Sequence, residues 1–180
     1  MRIFRIVDIE NLLDDEVRDF LSRSFSEADI TVQPAAMEHM VQFSSGLPIL
    51  MHEIGDAIFW IDTDGVIDER DALPGIIEAA ERIGKKYLDP KVYNALRSKR
   101  YRAILRKLGE PPSRKFKKKD VEERLSGNEQ KVFHNFLRRM RELAVIEPDR
   151  EGGRGAYRFV NELYPIYIRI ESERSRHKKM

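Results

Sequence analysis

Lys117, Lys118, Lys119, Lys131, Asn135, Arg138, Arg139, Arg150 and Arg154 are the side chains best suited to chemistry in this chain. Lysine and arginine meet phosphate oxygens, and asparagine and arginine read base edges through paired hydrogen bonds. Each of these cations can contact phosphate, and Asn135 or Arg138 can reach bases. Glu129 and Glu142 share the stretch that carries Lys131 to Arg139, and their carboxylates weaken it as a face for a polyanion. Other chemistries are excluded more firmly. The 180 residues contain no cysteine, which removes disulfides, thiolate metal sites and cysteine nucleophiles together. There is no HExxH, no GxSxG and no Ser-His-Asp spacing, so no enzyme acting alone is indicated. No GxxxxGK[ST] run is present either, and the chain does not by itself cradle a triphosphate on a P-loop.

Two further features have ordinary explanations. Aligning Gly65 of DTDGVIDERD with the glycine of an EF-hand loop puts Trp60 at the first ligand position and Asp71 at the last. Tryptophan cannot ligate calcium and the last position needs a bidentate glutamate, so the stretch reads as a helix-connecting turn. His39, His134 and His177 have no partner pattern and read as satisfied or exposed histidines.

Charge divides the chain. Residues 1–90 hold 8 Lys and Arg against 19 Asp and Glu, a net −11, and residues 91–180 hold 25 against 12, a net +13. An acidic half followed by a basic half suggests two modules, the second facing a polyanion. The first residues are too short and too charged for a signal peptide, and no run of about 18 apolar residues spans a membrane. A cytoplasmic location is expected, with no membrane partner.

The elements that must position these residues follow from periodicity. Ile3–Ile9 is β-branched and loosely alternating, and reads as a strand with few partners in its own half. A helix from Asp14 or Asp15 to about Ala28 turns Val17, Phe20, Leu21 and Phe25 inward. Ile30–Val32 is a short extended connector, and the next helix, Pro34–Phe43, buries Met37, Met40 and Val41. Gly46 ends it. Pro48 opens a helix so broadly apolar, through Leu50, Met51, Ile54, Ala57, Ile58 and Trp60, that it belongs inside a bundle. Another helix carries Ile76, Ile77, Ala80 and Ile83 inward, and Asp89-Pro90 is a turn and a joint. A long basic helix is expected from Lys91 to about Leu108. Then come a short Lys115–Lys117 stretch, a brief helix Asp120–Leu125, a turn at Ser126–Asn128 and a helix Glu129–Leu143 with Val132, Phe133, Phe136, Leu137 and Met140 inward. A hairpin with strands at Val145–Ile146 and Tyr157–Val160 carries the tip Asp149–Gly155, and Glu162–Arg176 forms a last amphipathic helix. The expected fold is mainly α (α+β), a helical bundle followed by a winged helix-turn-helix domain. In such domains the second helix of the turn enters the major groove while the wing touches flanking backbone.

The order of these parts carries a resemblance. FRIVDIENL followed by DDEVRDFL, then SSGLPILMHEIGDAIF, then AAERIGKKYLDP before the wing module resembles the C-terminal part of a P-loop ATPase. It is similar to the AAA+ lid plus winged helix of archaeal ATPases and replication-initiator-type proteins, an arrangement shared by the signalling (STAND) NTPases. The resemblance implies a residual strand of a missing ATPase core at 1–10, a helical lid at 11–89, a winged-helix domain with its C-terminal helix at 90–176, and a basic tail at 177–180. It implies that Gly46, Leu47 and Pro48 lie against the adenine of a bound nucleotide, with His52 one turn further on. A sensor arginine of the GxPR pattern would fall at Ile49, and its absence leans toward the signalling branch. ATP or ADP would bind only with the core present. The implied partners are double-stranded DNA, that core, and a possible second copy of the chain. The alternatives are a stand-alone winged-helix transcriptional regulator and a winged helix that docks a protein.

Overall fold

Helix α1 (Asp14–Ser26) opens on three carboxylates, Asp14, Asp15 and Glu16, which suit the positive end of a helix. The structure is a computed structural model, and it describes residues 11–94 and 96–177. The strand expected at Ile3–Ile9 and residues 178–180 of the basic tail lie outside the described residues. Val17, Leu21 and Phe25 of α1 are buried, whereas Phe20 is half exposed. The expectation that Phe20 points inward is corrected: the stripe follows the i, i+4, i+8 line, and Phe20 sits about 100° around the helix from its centre.

Residues Thr31–Val32 (β1) pair in parallel with Val66–Ile67 (β2), so the connectors before and after the next two helices are stitched together. Helix α2 (Pro34–Ser44) ends in the left-handed conformation at Ser45 and Gly46. Helix α3 (Pro48–Ile61) starts with proline in its first turn, where the missing N–H costs nothing. Asp62 then accepts the N–H groups of Asp64 and Gly65, which makes DTDG the helix-connecting turn expected. Asp68 caps α4 (Glu69–Ile83). Gly75 lets α4 approach α3 closely, since a Cβ there would lie 2.3 Å from Cγ1 of Ile58.

Two sequence expectations fail between α4 and the second half. Asp89-Pro90 is not a turn. The chain continues in wide π-helical turns over Gly84–Tyr93, with Pro90 inside and the Asn94 N–H donating to the Asp89 carbonyl five residues back at 2.9 Å. Widening the turn accommodates a proline that an α-helix would reject. The basic helix begins at Lys99 instead of Lys91, because Ser98 caps it and Arg102 folds back onto the carbonyls of Leu96 and Tyr93.

From there the order matches expectation: α5 (Lys99–Leu108), β3 (Lys115–Lys117), α6 (Lys118–Glu122), α7 (Gly127–Glu142), β4 (Ile146–Pro148), β5 (Ala156–Phe159) and α8 (Leu163–His177). The three strands form an antiparallel sheet in the order β3-β5-β4, with Phe116 opposite Tyr157 and Glu147 opposite Arg158. The described residues thus form a mainly helical α+β fold with eight α-helices, one parallel strand pair and one three-stranded antiparallel sheet. None of these helices is long and apolar enough to cross a membrane.

Helix α8 returns to pack on α4, on the π-helical stretch and on α5. Its Tyr167 ring occupies the space over Gly84, where a Cβ would stand 2.0 Å from the ring, and its hydroxyl donates to Asp89 Oδ1 at 2.6 Å. Gly84→Ala is therefore expected to lower the unfolding free energy by about 1–3 kcal/mol, the usual range for overpacking. Urea denaturation measures this, and an unchanged midpoint would show that Tyr167 can move aside at no cost.

Candidate nucleic-acid interface

Helix α7 is held by its acid. The Glu129 carboxylate accepts the Ser126 N–H at 2.7 Å and pairs with the Lys107 ammonium of α5 at 2.6 Å. Gln130 reaches back to the carbonyls of Glu122 and Leu125, fixing α7 against α6. Burial pushes the Glu129 carboxyl up, but Lys107 and the Ser126 donors outweigh it and hold the group below its ordinary range. Glu129 was expected to weaken the polar face, and this is corrected: it lies on the buried side with Phe133, Phe136, Leu137 and Met140. Only Glu142 remains as a carboxylate outside.

The opposite side of α7 carries Lys131, Asn135 and Arg138, all exposed, with Arg139 at its edge. Glu142 pairs with both arginines, 4.0 Å from Arg138 and 3.1 Å from Arg139. These pairs are well exposed, so their contribution to stability is small and their effect is on local charge.

The β4–β5 hairpin supplies the second group. Gly153 and Gly155 adopt positive φ at its tip, and the Asp149 carboxylate is buried beneath Gly152. Glu151 is drawn to Lys115 at 3.1 Å. Arg150 and Arg154 stay exposed. The Lys118 N–H donates to the Gly155 carbonyl at 2.8 Å, so the start of α6 and the tip form one unit. Lys117, Lys118 and Lys119 therefore stand beside the hairpin, as their position in the sequence suggested.

One set of residues escaped the sequence reading. Arg97, Ser98 and Tyr101, at the start of α5, line an open cleft of about 380 Å³ with Asn135, Arg138, Arg139 and Glu142 of α7. The available signal was the density of cations in RSKRYRAILRK, which the helical pattern alone did not place beside α7.

The other candidate residues lie apart from this face. Gly46 has φ +68°, and a Cβ there would meet the Leu12 carbonyl oxygen at 2.1 Å. The Leu12 N–H donates to the Gly46 carbonyl, Asn11 donates to the Ser45 carbonyl, and Arg114 from the second half reaches Ser45 Oγ at 3.4 Å. The turn is thus filled and tied by its own chain. Leu47 is half-buried against the core, whereas Pro48, Ile49 and His52 are exposed. Helix α3 contains no lysine or arginine, and its polar side carries Glu53 and Asp56. His39 pairs with Glu69 at 3.0 Å across α2 and α4, while His134 and His177 are exposed.

No protein-family model, no curated protein and no solved structure matches this chain.

The depressed Glu129 pKa fixes the sign of a pH effect. Its contribution is complete above the ordinary glutamate value of about 4.3 and is lost as pH falls through the lower folded value. Glu129→Ala should cost about 1–2 kcal/mol at neutral pH by removing a cap and stranding Lys107. The gap between variant and wild type should close in acid. Chemical denaturation across that range measures it, and a gap independent of pH would contradict the pairing.

Proposed function

We propose that this chain is a DNA-binding protein that engages double-stranded DNA with α7 and the β4–β5 hairpin, as a winged helix-turn-helix does. The observation that carries the reading is the outward face of α7. Lys131, Asn135 and Arg138 stand on it together while Glu129 is turned inward. A helix of this width fits the major groove, where Arg138 and Asn135 meet base edges. Arg150, Arg154 and the Lys117–Lys119 run meet phosphates on either side. The net +13 of residues 91–180 supplies the long-range attraction.

In this reading α1–α4 form a bundle of the ATPase-lid type that supports the winged helix. Contact with ATP or ADP through Gly46, Leu47, Pro48 and His52 is left out of the proposal. The close face of Gly46 is taken by Leu12, and α3 offers no cation to a phosphate.

Fluorescence anisotropy with labelled duplexes at several salt concentrations tests the proposal. Phosphate contacts from Lys117, Lys118, Lys119, Arg150 and Arg154 predict a slope of log K against log salt of roughly −4 to −5, at about 0.9 per phosphate. Arg150→Ala should flatten that slope equally for unrelated sequences. Arg138→Ala should also reduce discrimination between sequences. Glu142→Gln should act in the opposite direction, tightening binding at low salt by releasing two arginines. Absence of binding, or binding without a salt slope, would leave the winged helix as a protein-docking module.

A further inference from the structure

The cleft between α5 and α7 is built from two elements that are fixed against each other at two points. Lys107 of α5 pairs with Glu129 of α7 at 2.6 Å, and the Tyr101 ring stands edge-on to Phe136 with centroids 5.5 Å apart. Between them Arg97, Arg138 and Arg139 converge, and among the described residues Glu142 is the only carboxylate lining the space. Three guanidiniums against one carboxylate leave two positive charges in excess within one cleft. The neutral groups there are donors as well. Ser98 Oγ accepts the Tyr101 N–H, which leaves its own O–H free to donate, and Tyr101 and Asn135, both with donor groups, line the cleft from α5 and α7. Planar guanidinium forks match the oxygens of a phosphate, and an anion placed among them relieves their mutual repulsion.

We propose that this cleft binds a phosphate group, so that the start of α5 is a third contact element beside α7 and the hairpin. The phosphate comes from a duplex backbone or from a free phosphate compound. Only the first source rests on the DNA-binding reading above. Arg97 is the residue that separates this proposal from that reading, because it lies just before α5 and has no place in a contact made by α7 and the hairpin alone.

The test uses the full chain with Arg97→Ala and Arg97→Lys, each checked for a wild-type circular dichroism spectrum. Two measurements are made: duplex affinity against salt, and the thermal shift produced by inorganic pyrophosphate. With a backbone phosphate in the cleft, Arg97→Ala flattens the salt slope by about 0.9, equally for unrelated duplexes. Arg97→Lys keeps the slope but binds more weakly, having kept the charge and lost the fork. If the wild type binds no duplex yet gains thermal stability from pyrophosphate, and Arg97→Ala loses that gain, the phosphate site stands with a free phosphate as its source, and the DNA reading falls. If Arg97→Ala changes neither the slope nor the pyrophosphate shift, the proposal is overturned, whatever the α7 and hairpin variants do.

Discussion

The Tyr167 ring lying on Gly84 is the contact on which the arrangement of the rest depends. A glycine is required there because the ring occupies the place of any side chain, and the phenol then reaches Asp89 in the π-helical stretch. Burial first, and the hydrogen bond to Asp89 second, push that phenol up, so it remains a neutral donor. Tyr93 meets the same ring edge-on at 6.0 Å. Arg174 reaches Glu81 on α4 at 2.7 Å, while Arg169 and Ser172 reach Glu110 just beyond α5. Helix α8 therefore fastens α4 to α5, and α5 in turn fastens α7 through Lys107 and Glu129. The buried side chains form one apolar cluster from Val17 to Ile168.

On that scaffold the charges are sorted by direction. Three acids near the cations of the second half are turned inward or paired, while Asp120 and Glu123 stay exposed. Glu129 is buried, Asp149 lies beneath the hairpin tip, and Glu151 is held by Lys115. Glu142 stays outside but is paired, and its place between Arg138 and Arg139 lowers the positive charge of that surface. Arg97, just before α5, continues that surface past α7 into the cleft. Among the described residues the exposed large apolar side chains, Phe20, Trp60 and Ile77 among them, all belong to the first half.

Much of the second half was legible in the sequence because its signals are local. The turn at Ser126–Asn128 marks the start of α7, the glycines of DREGGRG mark the hairpin tip, and the 3.6-residue period from Phe133 to Met140 marks the buried side. The π-helical stretch was not legible, since Asp89-Pro90 carries the ordinary composition of a turn and only the packing of α8 shows otherwise. Phe20 and Ile77 were misplaced inward because apolar character stood in for angle, and the stripes they adjoin pass to one side of them. The role of Glu129 was missed for a different reason. Its partner Lys107 is 22 residues away, and a sequence shows a carboxylate without showing which way it faces. The same distance problem hid the cleft, whose walls lie on separate helices.

The central claim is that α7, the hairpin and the start of α5 form one polyanion-binding face. Hydrogen–deuterium exchange of the full chain, with and without a short duplex, tests it most directly. Slowed exchange is expected at Ser126–Lys131, across the hairpin tip and at Arg97–Tyr101, with Gly46–His52 unchanged. Protection confined to Gly46–His52 and α3, with none on α7 or the hairpin, would contradict it.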